Sequence, residues 1–184
     1  MNYCSQCGGA VSFRIPLDDT RPRHVCDRCG LIHYQNPRLV VGTLPVWEDK
    51  LLLCRRAIEP RHGMWTLPAG FMENAETAGQ AALRETQEEA LAHVEVGGLF
   101  TLISVPHINQ VHMIYLARLL DLDFAPGAET LEVSLFREDA IPWEEIAFHS
   151  ISLTLRHFFA DRKRGVFALH TDDLIFPPPS SPGN

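Results

Sequence analysis

The chain contains no apolar stretch long enough to span a bilayer, and its start, Met1 to Gly9, shows no basic segment followed by an apolar run. Neither a membrane span nor a secretory leader is expected, and the expected location is the cytoplasm. Positive charge is in short supply: 16 Lys and Arg stand against 23 Asp and Glu, a formal charge of -7. A general nucleic-acid binder would present an excess of cations to phosphates, so nucleic acid is not an expected partner. A small anionic substrate is not excluded, because divalent cations invert the local field. Cysteine is scarce after residue 29, where only Cys54 occurs. Cytosolic thiols stay reduced, so the paired cysteines before that point read as metal ligands and not as disulfides.

What is present is an ordinary globular composition, 46% hydrophobic and 21% charged over 184 residues. That length suits one full domain plus a small appendage. Residues 1–35 show little apolar periodicity and cannot build a core alone, so something else must staple them. Asn36-Pro37 marks the expected boundary of a second domain over 36–176. Residues 177–184, rich in Pro and Ser, read as a disordered tail.

Leu39 to Val46 and Lys50 to Arg56 read as strands joined at Glu48-Asp49. A helix is expected from Thr77 to Leu91, with Thr77 and Gln80 at capping-box spacing and Gly79, Leu83, Thr86 and Ala90 as its core stripe. Val94 to Val105, Val111 to Leu120 and Glu132 to Phe136 read as further strands. Ser150 is placed to cap a second helix that buries Ile151, Leu155, Phe158 and Phe159 and stops before Gly165. Mixed strands with two helices predict an α/β sandwich.

Cys4-Ser-Gln-Cys7-Gly8 and Cys26-Asp-Arg-Cys29-Gly30 form two C-x-x-C-G knuckles. Two residues between thiolates let one tight turn aim both sulfurs at one ion. Four soft ligands are the tetrahedral set that Zn²⁺ prefers, and such a site is closed to water and so structural. Residues 1–35 hold four Arg against three Asp. Zinc with four thiolates brings the segment to about -1, which argues against a grip on nucleic acid. Cys54, in an apolar strand, reads as a small core residue.

Glu85, Glu88 and Glu89 stand at i, i+3 and i+4, on one helical face. Like charges at these spacings cost about 0.2–0.5 kcal/mol per pair, so the cluster is not there for stability. Divalent cations would offset that cost, and Mg²⁺ takes carboxylate oxygens while keeping waters for phosphate contacts. The alternative is a solvated acidic face with Arg84 pairing Glu88.

The upstream spacing favours the metal. Gly70, then Glu76, then Arg84-Glu85-x-x-Glu88-Glu89 resembles the Nudix box, and Trp65-x-Leu67-Pro68-Ala69-Gly70 is similar to the lead-in of that family. One position departs: the box has Gly where this chain has Leu91, which bears on how the helix stops. The resemblance implies a Nudix α/β/α sandwich with a mixed sheet behind the zinc ribbon. NADH pyrophosphatases share the ribbon but carry an S-Q-P-W-P-F-P-like run that is missing here. Arg56-Ala-Ile-Glu-Pro-Arg61, Ala125-Pro-Gly-Ala-Glu-Thr-Leu-Glu132, Ile141-Pro142 and Ala147-Phe148 resemble the plant-type ADP-ribose/FAD pyrophosphatases and their bacterial relatives.

That resemblance implies hydrolysis of the pyrophosphate bond of FAD or ADP-ribose, releasing AMP, with homodimers frequent among the related enzymes. It implies Mg²⁺ or Mn²⁺ held by Glu85, Glu88 and Glu89, with Arg84 restraining the carboxylates and Glu76 positioning the assembly. Glu129 and Glu132, read as loop acids, are candidate general bases. Arg56, Trp65, Phe71 and Gly70 are candidate substrate contacts, with core packing as the alternative for Trp65 and Phe71. His107 and His112 read as structural. The alternatives are an NADH or capped-RNA pyrophosphatase and a non-catalytic nucleotide sensor.

Overall fold

Each knuckle turns through its glycine, Gly8 at φ +69° and Gly30 at φ +74°, a region open to glycine at no steric cost. The Gly8 and Gly30 N–H groups donate to the Cys4 and Cys26 carbonyls at 2.9 and 3.0 Å. Between and after the knuckles run β1 (Val11–Arg14), β2 (Arg23–Cys26) and β3 (Ile32–His33), a three-stranded antiparallel sheet in the order β1-β2-β3. The computed structural model describes residues 1–175, and the chain divides into two compact units, one ending at Pro37 and the other beginning at Arg38. The tail expected to be disordered, 177–184, lies outside the described residues.

In the second unit, β4 (Arg38–Trp47) and β5 (Lys50–Arg56) form a hairpin through Glu48 at φ +53°. Then come β6 (Trp65–Thr66), β7 (Ala69–Phe71), α1 (Ala78–Ala90), β8 (Val94–Val105), β9 (Gln110–Leu119), β10 (Thr130–Phe136), α2 (His149–Arg164) and β11 (His170–Asp173). They build an eight-stranded sheet along the path β10-β5-β4-β9-β8-β11, with β6 on β5 and β7 on β4. The sheet is mixed: β4 with β9 and β8 with β11 are parallel, the other pairs antiparallel.

Alternation along the strands sends apolar side chains to both faces, and both are covered. Leu51 and Leu53 of β5 join Leu44, Phe100 and Ile114 against Ile151, Leu155, Phe158 and Phe159 of α2. Leu52 and Cys54 point the other way, packing with Ala90, Val94 and Leu119. The face that carries α1 continues with Val41, Ala81 and Ala82. The result is the expected α/β/α sandwich. Burying each of the large α2 side chains contributes roughly 1.5–3 kcal/mol.

Three details depart from expectation. Leu83 is exposed, while Ala81, Ala82, Thr86 and Ala90 form the buried face of α1. Small residues let the helix lie close on the sheet, where Thr43 and Thr86 share a 2.6 Å hydrogen bond; Thr86 and Ala90 of the predicted stripe are buried, while Ala81 and Ala82 take the place of Leu83. Ser150 does not cap α2: Phe148 is the N-cap residue, and the buried Ser150 hydroxyl bonds His112 at 2.8 Å instead. The strand β11 has no apolar alternation to announce it. It is held by its edge pairing to β8 and by hydrogen bonds to α2, His170 with Asp161 and Asp172 with His157.

Candidate active site and metal centres

The helix that carries the carboxylates starts as its sequence dictates. The Thr77 hydroxyl accepts from the Gln80 N–H at 3.2 Å, and the Gln80 side chain accepts from the Thr77 N–H at 2.8 Å. It ends at Leu91, which takes the left-handed conformation (φ 48°, ψ 27°) and donates its N–H to the Gln87 carbonyl. The left-handed stop is therefore present with leucine in the place that usually holds glycine.

Arg84 is the hub of the cluster. Its Nε and NH2 donate to the two Glu76 oxygens at 3.0 and 2.8 Å, its NH1 to Glu85 at 2.7 Å and Glu88 at 3.1 Å, and NH2 also to the Phe71 carbonyl at 3.2 Å. The planar fork meets Glu76 bidentately, a geometry lysine cannot reproduce. These bonds, with one from the Glu73 N–H at 2.6 Å, hold the Glu76 carboxyl down to about 2.

The three helix glutamates differ. Glu88 reaches into solvent. Glu85 lies under the β7 loop, and burial raises its pKa against the opposing pull of Arg84. Glu89 is pushed up to about 7, chiefly by burial, although the Ala69 N–H donates to it at 3.1 Å. The charge of Glu85 raises Glu89 further, Arg56 lowers it and Glu129 raises it, so both distant residues act on this carboxylate.

Gly70 is where backbone and carboxylate meet. A Cβ there would lie 2.3 Å from one Glu85 oxygen and 2.5 Å from the other. Gly127 is pressed on the helix end in the same way: its N–H donates to the Glu89 carbonyl at 3.0 Å, which brings the loop bearing Glu129 to the glutamates.

The donor set suits a hard divalent cation. All candidate ligands are carboxylate oxygens; Glu85 is buried and Glu89 partly so, and among the described residues Arg84 is the cation that pairs directly with Glu85 and Glu88. A bound cation would favour the charged form of both, offsetting the penalty that burial imposes.

Two expected contacts are not in the cluster. Trp65 belongs to the core, 6% exposed, edge-on to Phe136 at 4.9 Å, with its carbonyl accepting from the Ala147 N–H. It cannot stack on a ligand ring. Glu132 is a strand residue on β10, paired in register with Arg55 and 3.7 Å from its guanidinium, and not a loop acid. Arg56 donates to the Pro60 carbonyl at 2.9 Å and lies over the Phe148 ring at 5.2 Å. Phe71 is 46% exposed under the Arg38 guanidinium, 4.5 Å from the ring centroid. The sequence reading missed Arg38 and the Ala69 N–H. The first is separated from Phe71 by 33 positions and joined to it only by strand pairing. The second is a backbone group, which a residue pattern does not display.

In the first unit the Cys4, Cys7, Cys26 and Cys29 sulfurs all lie within 4.8 Å of one another. Cys4 to Cys29 is 3.8 Å and Cys7 to Cys26 is 3.5 Å. Tetrahedral zinc with Zn–S bonds of about 2.3 Å needs sulfurs about 3.8 Å apart, so the set fits that ion. The Cys29 N–H points at the Cys26 sulfur at 3.4 Å and favours its thiolate. Among the described residues, no helix is long and apolar enough to cross a membrane.

Comparison with known proteins places these features in a family. Residues 2–35 match the zinc-ribbon family described as Nudix N-terminal, and residues 36–161 match the NUDIX domain. A crystal structure of a NUDIX hydrolase from Nitrosomonas europaea superposes with a TM-score of 0.92 at 55% identity, covering 95% of this chain and 99% of that one. The NAD-capped RNA hydrolase NudC of Photobacterium profundum is 30% identical over 143 residues, 76% of this chain and 50% of that protein. The ADP-ribose pyrophosphatase of Methanocaldococcus jannaschii is 29% identical over 113 residues, 59% of this chain and 67% of that protein. The chain spans half or less of the length of the first NudC proteins it matches.

Proposed function

From a chain that belongs to the Nudix hydrolase family, with a zinc ribbon ahead of its Nudix domain, we propose a metal-dependent pyrophosphatase that cleaves a nucleoside diphosphate derivative, FAD or ADP-ribose, with release of AMP. The observation that carries this reading is the partly buried, Arg84-centred carboxylate cluster beneath Gly70. Glu85, Glu88 and Glu89 would hold Mg²⁺ or Mn²⁺, which when bound supplies charge neutralisation of the diphosphate and a more acidic water. The four cysteines would hold structural Zn²⁺ in a ribbon over 1–35, ahead of a domain over 36–176.

The chain's own groups divide the remaining work. Arg84 orients Glu76, Glu85 and Glu88 through charge-assisted hydrogen bonds. The Ala69 N–H fixes Glu89. Glu89, with a carboxyl near neutrality, and Glu129, which acts on it electrostatically, are the two candidates to take the proton from the attacking water. Arg56, whose charge acts on Glu89, would face developing phosphate charge there.

A second reading, hydrolysis of a dinucleotide cap on RNA, is favoured by the names of the NudC relatives. It makes nucleic acid a partner, which the charge of -7 disfavours. A third reading, in which the same site binds nucleotide without turnover, is disfavoured by the intact glutamates. The cytoplasm is the proposed location and a homodimer the proposed assembly.

The test is a substrate panel of FAD, ADP-ribose, NADH and capped RNA in one Mg²⁺ or Mn²⁺ buffer, with AMP detection. Wild type should turn over FAD or ADP-ribose, and Glu89→Gln should lose that activity by orders of magnitude while unfolding at nearly the same temperature. Equal turnover by wild type and Glu89→Gln would overturn the site.

A further inference from the structure

The face of the sheet that carries α2 has its own polar group beside the carboxylate cluster. Gln110, His112, Arg38 and Phe71 occupy neighbouring strands in register, Arg38 with Gln110, Val40 with His112 and Val40 with Phe71. Successive residues on β7 point to opposite faces, so Gly70 meets Glu85 on the α1 side while Phe71 turns to the α2 side. Among the described residues β7 pairs as a strand only with β4, and on its outer edge the Ala69 N–H donates to Glu89 and the Phe71 carbonyl accepts from Arg84, so this edge of the sheet lies at the carboxylate cluster.

The polar contacts fix a direction. The Gln110 oxygen is 2.9 Å from His112 Nε2 and can only accept, so Nε2 carries the proton. His112 Nδ1 then accepts from the Ser150 hydroxyl at 2.8 Å. Burial depresses the His112 pKa, in keeping with this neutral ring. With its oxygen engaged, the Gln110 carboxamide has its NH₂ group left to donate, and among the described residues nothing accepts from it. Across β4 from it, the half-exposed Phe71 ring lies under the Arg38 guanidinium, a flat cationic surface for a ring to stack on. The Phe71 carbonyl accepts from Arg84, so this surface is tied to the carboxylate hub.

We propose that Arg38, Phe71 and Gln110 form the ring-binding subsite of the substrate, with the base stacked at Phe71 and an acceptor on its edge read by the Gln110 NH₂ group. His112 and Ser150 are positioning residues that hold the carboxamide in that orientation. The subsite rests on the reading of the chain as a nucleotide hydrolase, and it adds which part of the substrate is recognised and by which residues. A ring edge that offers a carbonyl or a bare ring nitrogen is favoured. One that offers only donors leaves the Gln110 NH₂ group unpaired and is rejected.

The experiment measures ADP-ribose binding by calorimetry on zinc-loaded protein without added Mg²⁺, ADP-ribose turnover in Mg²⁺, and competition by inorganic pyrophosphate, which has no ring. Phe71→Ala removes the stacking surface. Gln110→Glu keeps the acceptor for His112 and deletes the outward donor. Each should weaken ADP-ribose binding and raise KM by tenfold or more, with a smaller change in kcat and pyrophosphate competition altered less than threefold. Ser150→Ala should raise KM about threefold with kcat held, a split that loss of packing alone would not produce. Binding that depends on Phe71 and Gln110 in a wild type without turnover supports the subsite and refutes the hydrolase reading. ADP-ribose that fails to bind, or binds and turns over in both variants as in wild type, overturns the subsite, and in the latter case leaves the hydrolase reading standing.

Discussion

Adding one carbon at Gly70 is a severe perturbation of the Nudix cluster and leaves every charge in place. In Gly70→Ala the new methyl would lie 2.3 to 2.5 Å from the Glu85 carboxylate. Ordinary contact needs about 3.4 Å, so the carboxylate or the β7 loop must retreat by about 1 Å. Glu85 is held at 2.7 Å by Arg84 and has little free space, so the retreat costs that hydrogen bond. A misplacement of about 1 Å near the chemistry costs on the order of 100-fold in rate, about 2.7 kcal/mol in the barrier. Overpacking costs about 1–3 kcal/mol of stability, a fall of roughly 2–10 °C in Tm. The assay pairs initial rates on ADP-ribose in saturating Mg²⁺ with thermal unfolding. Gly79→Ala is the control, since a Cβ there meets nothing within 4 Å. Its activity should match wild type. A Gly70→Ala protein that turned over at the wild-type rate would refute the role given to the Glu85 position.

Other outcomes follow from the same physics. Leu91→Gly relieves a left-handed leucine at the end of α1, and after the entropy lost to glycine it should raise Tm by roughly 1–3 °C with turnover unchanged; a fall in Tm on a thermal scan would contradict the strain. Burial alone would raise the Asp161 carboxyl, but hydrogen bonds from His170, Arg164 and the Ala168 N–H outweigh it and hold it at about 2, below its ordinary 3.8. A depressed carboxyl stabilises the fold above its ordinary value, so this contribution is full above about pH 4 and is lost as pH falls towards about 2. Urea unfolding of Asp161→Asn across that window should show a flatter acid dependence than wild type; parallel curves would count against it. Chelating zinc from the four cysteines should make residues 1–37 sensitive to protease while the core that packs α2 keeps its protection. Persistence of the ribbon without metal would show that zinc does not staple it.

How much of this was legible depends on the kind of signal. The capping pair Thr77 and Gln80 and the alternating Leu51 to Cys54 act through neighbours in sequence, and the structure places the helix and strands where those patterns put them. The glutamate spacing puts Glu85 and Glu89 against the sheet side, but it does not show that Glu88 turns outward. Leu83 misled because a hydrophobic stripe is read from residue type, whereas the close approach of α1 to the sheet is set by small residues, Ala81 and Ala82. Ser150 misled because a capping residue type was present, and its hydroxyl was claimed instead by His112 from a strand 38 positions away. Trp65 carries no mark in the sequence to separate a stacking platform from a core anchor; its strand pairing to Arg55 and packing on Phe136 decide the matter.

The central claim is that the α1 carboxylates bind a catalytic divalent cation. Zinc-loaded protein stripped of other metals should be titrated with Mn²⁺, reading free ion by electron paramagnetic resonance, in wild type, Glu85→Gln and Glu89→Gln. Saturable uptake by wild type, weakened at least tenfold in each variant with zinc content and Tm preserved, is the predicted result. Identical Mn²⁺ isotherms for all three proteins would contradict it.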